Sequence, residues 1–290
     1  PIITSGATYT VDENQTSIGT FEANDVDGDS LSYSISGSEL SINSSGILSF
    51  NSAPDFESKS SYSAEVEVSD GNLSASQLIT VNINNLNDEA PVFVGPSTFN
   101  INENNTNVGT AFATDADNLT AITFTISGSD FSLTSTGSSS AKVEFISAPD
   151  YETKTQYNAT ITANDGVNTS TVDWTINIIN LNDNAPVYTS SNTFNANENQ
   201  TAIGSVTASD ADGNSLTFST SSSELSITSA GTLTFATAPD YETKSSYTAT
   251  VSVTDGVYTE TQDITVNVND VNDAPVFTSG TSFALNNGDT

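Results

Sequence analysis

Apolar and polar residues alternate with a period of two along most of this chain. Leu31-Ser-Tyr33-Ser-Ile35, Tyr62-Ser-Ala64-Glu-Val66-Glu-Val68 and Ile79-Thr-Val81-Asn-Ile83 each place apolar side chains on one face of an extended segment and polar ones on the other. Gly, Asn, Asp and Pro break these runs about every eight to twelve residues. The first 90 residues thus predict seven half-buried antiparallel strands, at 7–11, 17–23, 30–36, 39–43, 46–50, 61–69 and 74–84. Nothing carries the 3.6-residue period of a three-turn helix.

The same strand pattern occurs three times, and with it a fixed set of acids. The first copy has Glu13, Asp25, Asp27, Asp55, Glu57, Asp70 and Asn87-Asp88. The second has Glu103, Asp115, Asp117, Asp150, Glu152, Asp165 and Asn182-Asp183. The third has Glu198, Asp210, Asp212, Asp240, Glu242, Asp255 and Asn272-Asp273. Equivalent acids lie 90 or 95 residues apart, because the second copy has one extra residue between Asp117 and Gly128 and four between Gly137 and Pro149. The expected fold is all-β: tandem seven-stranded Greek-key (immunoglobulin-like) sandwiches arranged as a rod. The repeats are expected at 1–90, 91–185 and 186–275, with 276–290 as the first strand of a fourth, truncated repeat.

Composition narrows the possible partners. There are 36 acids against four lysines, no arginine and no histidine. Such a chain has no positive surface for nucleic acid or an anionic membrane. It has no apolar run of membrane-spanning length, so no direct membrane insertion is expected. Without cysteine there are no disulfides and no thiolate metal sites, and bound metal could supply the missing stabilisation. Because the chain opens on Pro1 in mid-pattern, it reads as a segment of something longer.

Strand parity sorts the acids to the two ends of each sandwich. If the first strand runs from top to bottom, Glu13, Asp55, Glu57 and Asp88 fall at the bottom, and Asp25, Asp27 and Asp70 at the top. The short linker brings the bottom of one repeat to the top of the next. The first junction then gathers Glu13, Asp55, Glu57, Asp88, Asp115, Asp117 and Asp165. The second gathers Glu103, Asp150, Glu152, Asp183, Asp210, Asp212 and Asp255. Each close pair of carboxylates costs roughly 1–3 kcal/mol at an effective dielectric between 20 and 80. Cations relieve that cost, and an all-oxygen donor set suits calcium better than magnesium or zinc.

In order, Glu13, Ala23-Asn-Asp25-x-Asp27, Asp55-Phe-Glu57, Ser69-Asp70-Gly71 and Asn85-Leu-Asn87-Asp88-Glu-Ala-Pro91 resemble the tandem cadherin-like repeats found in bacteria. The resemblance covers residues 1–275 in three copies. It implies about three Ca2+ per complete junction. The Glu, Asp-x-Glu and linker of the lower repeat and the Asp-x-Asp and Asp-Gly acids of the upper one would be ligands. It also implies carbonyl ligands at Leu86 and Leu181, with Asn87 and Asn182 reaching the ion nearest the upper repeat. The family linker usually begins with Asp, which only Asp270 keeps. Asn85 and Asn180 stand there instead, so one weaker ion is expected at each of the first two junctions. Fewer ions are expected at the free ends. There Asp25, Asp27 and Asp70 lack a preceding repeat, and Glu198, Asp240, Glu242, Asp270, Asn272 and Asp273 lack a following one; Asn287 stands where the fourth repeat's Glu would be.

Other features read more plainly. Asp25-x-Asp27-Gly-Asp29 is no EF-hand loop, since its twelfth position is Ser36 and no helix flanks it. Trp174 aligns with Ile79 and Ile264 and is expected in the core rather than as a sugar platform. Lys59, Lys154 and Lys244 follow each Asp-x-Glu pair and are expected to soften the acid clusters when calcium is absent. No enzymatic activity is expected, because His and Cys are missing and paired carboxylates recur at every repeat instead of once in a unique cleft. The expected function is a calcium-rigidified extracellular stalk of a bacterial surface or secreted adhesin, partnered by its own neighbouring repeats. The alternative is repeats that bind cell-surface polysaccharide or self-associate into a filament or layer. Docking of an N-terminal Trp is not available, since that region offers Ile2, Ile3 and Tyr9.

Overall fold

The computed structural model describes residues 1–276 and Gly280. The expected strand of a fourth repeat at 276–290, with Asn287, therefore lies outside the described residues except at Val276 and Gly280. The chain divides into two compact units, Pro1–Ile179 and Asn180–Thr290. The described secondary structure is entirely strand and turn, and no helix among the described residues could cross a membrane.

The first unit opens with β1 (Ile2–Ile3), β2 (Thr8–Asp12), β3 (Ser17–Thr20), β4 (Ala23–Asn24) and β5 (Ser32–Ile35). It continues through β6 (Leu40–Ile42), β7 (Ile47–Phe50), β8 (Ser61–Ser69) and β9 (Ser74–Asn84). One sheet has the order β2-β9-β8-β5 and faces another of order β3-β7-β6, extended by the ribbon β1-β4. Ala64, Val66 and Val68 of β8 and Ile79, Val81 and Ile83 of β9 point inward against Phe21, Leu48 and Phe50. Each of the Val, Ile, Leu and Phe side chains contributes about 1.5–3 kcal/mol by leaving water, so the alternating pattern is the fold's main driving force.

Two details depart from the expected pattern. The first strand is split, and β2 pairs with β9 in parallel, from Thr8 opposite Thr80 to Asp12 opposite Asn84. The chain crosses between sheets after β1, so the first and last long strands run side by side and end together. That crossing, which alternation does not encode, brings Glu13 beside Asn85. The expected strand at 17–23 also breaks after Thr20. There the Phe21 N–H donates to the carbonyl of Gly46 at 2.7 Å. Gly46 has φ +76°, and a Cβ there would lie 2.3 Å from the Phe21 carbonyl oxygen.

The second sandwich of this unit comprises β10 (Val92–Val94), β11 (Thr98–Asn102), β12 (Asn107–Thr114) and β13 (Thr123–Ile126). After them come β14 (Phe131–Ser135), β15 (Ser140–Phe145), β16 (Gln156–Asn164) and β17 (Thr169–Ile179). Its sheets are β11-β17-β16-β13 and β10-β12-β15-β14. Here β12 is unbroken, with Ala111 opposite Ala141 where the first sandwich has Phe21 and its break. Trp174 is 3% exposed and packs on Phe99 with ring centroids 4.3 Å apart, as a core residue.

The second unit contains β18 (Val187–Tyr188), β19 (Thr193–Asn197), β20 (Ala202–Ser205), β21 (Ala208–Ser209) and β22 (Thr217–Thr220). β23 (Leu225–Ile227), β24 (Thr232–Phe235), β25 (Ser246–Thr254) and β26 (Thr259–Asn269) complete it. It repeats the first sandwich's plan: sheets β19-β26-β25-β22 and β20-β24-β23, a β18-β21 ribbon, and β19 parallel to β26.

Candidate metal centre

The β2–β9 pairing delivers the lower half of the first acid cluster. Glu13, directly after β2, is 3% exposed. Its two carboxylate oxygens accept the N–H groups of Phe56 at 2.7 Å and Leu86 at 2.8 Å, tying the Asp55–Glu57 loop to the linker after β9. Carboxylate oxygens of Glu13, Asp55 and Glu57 lie within 4.8 Å of one another. A second group, Glu57, Asp88 and Asp117, meets the same criterion and shares Glu57. These acids thus lie at one end of the first sandwich and against Asp117 of the second.

The upper half comes from the β12–β13 connection and the β16–β17 turn. Asp115 Oδ1 accepts from the N–H groups of Asp117 and Asn118 at 3.1 and 3.2 Å. Asp165 Oδ1 accepts from Val167 and Asn168, both at 2.7 Å. Asp117 is 3% exposed, and its Oδ2 accepts from the linker N–H groups of Asp88 at 3.0 Å and Glu89 at 2.9 Å. The linker amides are held as well. Asn85 Nδ2 donates to the Asp117 carbonyl at 3.0 Å, and Asn87 Nδ2 to the Asp165 carbonyl at 3.3 Å.

Each of these five residues therefore has one end fixed and one oxygen left over. Asn85 Oδ1, Asn87 Oδ1, Asp115 Oδ2, Asp117 Oδ1 and Asp165 Oδ2 are buried and accept no hydrogen bond. A buried acceptor without a donor costs about 1–3 kcal/mol, and five gathered where the linker meets the second sandwich are not what folding alone would select. Every lysine ion pair of the described residues lies on other acids. The donor set, carboxylate and amide oxygen without His or Cys, fits a hard cation such as calcium.

Electrostatics mark the same place. Burial, and then the charges of Glu13 and Asp117, push the Glu57 carboxyl above its usual range. Asp55 is held below its range by the hydroxyl and N–H of Ser58, and Asp150 by the corresponding Thr153. For Asp165, burial alone would raise the pKa, but the N–H groups of Asn168 and Val167 outweigh it and the net shift is downward.

The remaining sequence candidates occupy matching local positions. At the opposite end of the first sandwich, Asp25 Oδ2 and Asp70 Oδ2 lie 3.3 and 3.7 Å from the Pro1 ammonium. Asp27 belongs to the same turn, its N–H donating to Asp25 Oδ1 at 2.9 Å. In the second sandwich Glu103, Asp150 and Glu152 form a group within 4.8 Å, with Glu103 2% exposed. In the second unit Glu198, Asp240 and Glu242 do the same, and Asp270 is among the charges acting on Glu242. Asn272 and Asp273 are exposed there, Asn272 Nδ2 donating to the Asp273 carbonyl at 3.3 Å. Also in that unit, Asn180 Oδ1, Asn182 Oδ1, Asp210 Oδ2 and Asp255 Oδ2 are buried without a hydrogen bond. Asn184 differs from its counterpart Glu89, because its amide donates to Asp212 Oδ1 at 2.7 Å and to Asp183 Oδ1 at 2.9 Å.

Two groups of residues escaped the sequence reading. Asn14, Asn104 and Asn199 each follow the buried Glu with φ near +60° (64°, 61° and 61°). Asn14 Nδ2 donates to the Asp88 carboxylate. The recurring Glu-Asn dipeptide was the available signal, since Asn tolerates left-handed backbone better than most residues. Asn168 is the other: its Nδ2 reaches the linker carbonyls of Asn87 at 3.5 Å and Glu89 at 3.2 Å. It stands where the other copies have Leu73 and Tyr258, so no repeat pattern announced it. The expectation for the lysines is corrected. Lys59, Lys154 and Lys244 pair with Glu39, Asp130 and Glu224, not with the clustered acids.

Comparison with known proteins agrees with this architecture. The chain is 32% identical over 260 residues to human Cadherin EGF LAG seven-pass G-type receptor 2, covering 81% of this chain and 9% of the relative. It is 31% identical over 188 residues to human Protocadherin-15, covering 59% of this chain and 9% of that protein. It thus spans about a tenth of the length of these curated relatives. Among solved structures, Protocadherin Gamma B2 extracellular cadherin domains 3-6 superpose with a TM-score of 0.76 at 24% identity, covering 94% of this chain and 74% of that one. Mouse Cadherin-23 EC22-24 gives 0.72 at 23%, covering 91% and 96%. These relatives and structural neighbours are cadherins and protocadherins. A family model described as Bacterial Ig domain matches residues 1–82 and 182–269, more than half of the sequence, and the chain belongs to that family as an array of tandem cadherin-like repeats.

Proposed function

We propose that this chain is a calcium-binding array, with ions seated where the first sandwich meets the second and gripped by Glu13, Asp55, Glu57, Asp88, Asp115, Asp117 and Asp165. The observation that carries this reading is the set of five buried oxygens left without donors at Asn85, Asn87, Asp115, Asp117 and Asp165. Three calcium ions bring six positive charges to seven carboxylates, a near balance that removes most of the like-charge repulsion. The bare oxygens of Asn180, Asn182, Asp210 and Asp255 support the same chemistry in the second unit.

Ions held by both the linker and two sandwiches stiffen the joint they bridge and add to folding stability by mass action. The reading that follows is a calcium-stiffened spacer in an extracellular or surface-attached bacterial protein, presenting another module at a distance. The family description as a bacterial domain and the extracellular domains among the structural neighbours support that location. Affinities on the order of 0.1–1 mM, usual for extracellular modules, would suffice in a calcium-rich medium.

Isothermal titration of the metal-free chain with calcium tests the reading through its stoichiometry. About three ions for the first joint, with a higher melting temperature than in chelator, is the expected result. Fewer than one ion per chain at millimolar calcium would refute it. Sedimentation over the same range separates roles: a monomer with and without calcium supports the spacer, whereas calcium-dependent dimers would make the repeats adhesive themselves.

A further inference from the structure

Three of the four lysines make one arrangement, repeated in every sandwich. Lys59 Nζ lies 2.6 Å from both Glu39 carboxylate oxygens and 4.2 Å from the centroid of Tyr62. Lys154 Nζ lies 3.1 Å from Asp130 Oδ2 and 3.9 Å from the Tyr157 ring. Lys244 Nζ lies 2.6 and 2.7 Å from the Glu224 oxygens and 4.4 Å from the Tyr247 ring. Each tyrosine in turn meets a core phenylalanine edge-on: Phe50 at 5.0 Å, Phe145 at 4.9 Å and Phe235 at 5.1 Å. Lys142, the fourth, pairs with Glu144 two positions away on its own strand.

These lysines also close the acid-bearing loop. The N–H groups of Lys59, Lys154 and Lys244 donate to the carbonyls of Asp55, Asp150 and Asp240, each at 2.9 Å. Within the first loop, Ser58 Oγ and N–H hold the two oxygens of Asp55 at 2.9 and 3.1 Å. The loop is one turn of chain whose last residue is anchored to the core through a ring and to the β5–β6 connection through Glu39. An exposed ion pair is weak by itself, but an ammonium seated on a ring that is packed on the core fixes a side chain more firmly.

We infer that Lys59, and by the same geometry Lys154 and Lys244, are positioning residues that hold the Asp-x-Glu loop in its ion-gripping shape without touching the ion. The consequence for calcium rests on the function proposed above; the consequence for the loop does not. The inference opposes plain electrostatics in sign. Deleting a positive charge from a chain of net charge −32 should tighten cation binding, whereas loosening the loop should weaken it.

The test uses the full 290-residue chain carrying Lys59→Met, Lys59→Arg or Lys142→Met. Calcium titration reads affinity, and amide exchange in chelator reads the loop at positions 58 and 59. Lys59→Met should bind calcium about fivefold more weakly, the scale of a lost ion pair and cation–π contact, and exchange faster at both amides. Lys59→Arg should restore both properties, and Lys142→Met should impair neither. Lys59→Met binding as tightly as the parent or tighter, with unchanged exchange, overturns the inference. If the parent binds no calcium, the proposed function fails and the exchange arm alone decides this one: faster supports it, unchanged refutes it. Should Lys59→Met not fold, Glu39→Gln carries the exchange measurement with the same two outcomes.

Discussion

Replacing Asn85 with Asp restores the acid that opens the third linker at Asp270, and the structure predicts opposite consequences with and without metal. In chelator the substitution removes the donor that Asn85 Nδ2 supplies to the Asp117 carbonyl at 3.0 Å. Leaving that acceptor bare costs about 1–3 kcal/mol. It also adds a carboxylate near Asp117, itself 3% exposed, at roughly 1–3 kcal/mol for a close like-charge pair. The metal-free protein should therefore lose about 2–6 kcal/mol, or some 2–4 °C of melting temperature per kcal/mol for a cooperative unit of this size. With calcium, the same change turns a neutral ligand oxygen into a charged one, and affinity at that position should rise tenfold or more, about 1.4 kcal/mol. Melting curves with excess chelator and with saturating calcium, paired with a calcium titration, measure both arms. The calcium-induced rise in melting temperature must grow. If it is unchanged or shrinks, the Asn85 side chain does not face an ion and the placement of ligands around it is wrong.

Three further outcomes follow from the described contacts. Trp174→Ala should cost about 3–5 kcal/mol in chemical denaturation, because it empties the space against Phe99; a loss under 1 kcal/mol would contradict its core role. Gly46→Ala should destabilise by about 2 kcal/mol or more, since its Cβ would meet the Phe21 carbonyl at 2.3 Å. Gly71→Ala meets nothing within 4 Å and should cost only the backbone conformational penalty. In chelator, stability should also pass through an acid-shifted maximum. Glu57, raised above the usual 4.5, binds its proton more tightly when folded, so stability falls as pH rises through its folded value. Asp55 and Asp150, lowered below 3.8, contribute stability that is present above that value and lost as pH falls through their folded values. Denaturation midpoints that fall steadily from pH 7 to pH 3 would count against the Glu57 assignment.

Much was legible in the chain itself, and for a physical reason. A strand shows its buried face through period-two alternation, so the sequence alone marks Ala64, Val66, Val68, Ile79 and Val81 as core. The acids were legible because the three copies act as their own alignment: Glu13, Glu103 and Glu198 hold their place while the surface around them changes. Strand parity alone then grouped Glu13 with Asp55 and Glu57, and Asp25 with Asp70.

Tertiary structure decided what depends on partners distant in sequence. Alternation does not say which strand lies beside which, so the parallel β2–β9 pair had to be seen, and with it the close approach of Glu13 to Leu86. Nor does composition reveal which oxygen of a carboxylate is satisfied. Only the fold shows that backbone N–H groups take one oxygen each of Asp115, Asp117 and Asp165 and leave the other bare. The lysines make the same point. Sequence adjacency put Lys59 next to the acids, but the backbone turn directs its side chain to Tyr62 and Glu39 instead. Local pattern sets which residues are strand, core and acid; hydrogen bonds between segments some 70 residues apart set which of those acids are free to hold an ion.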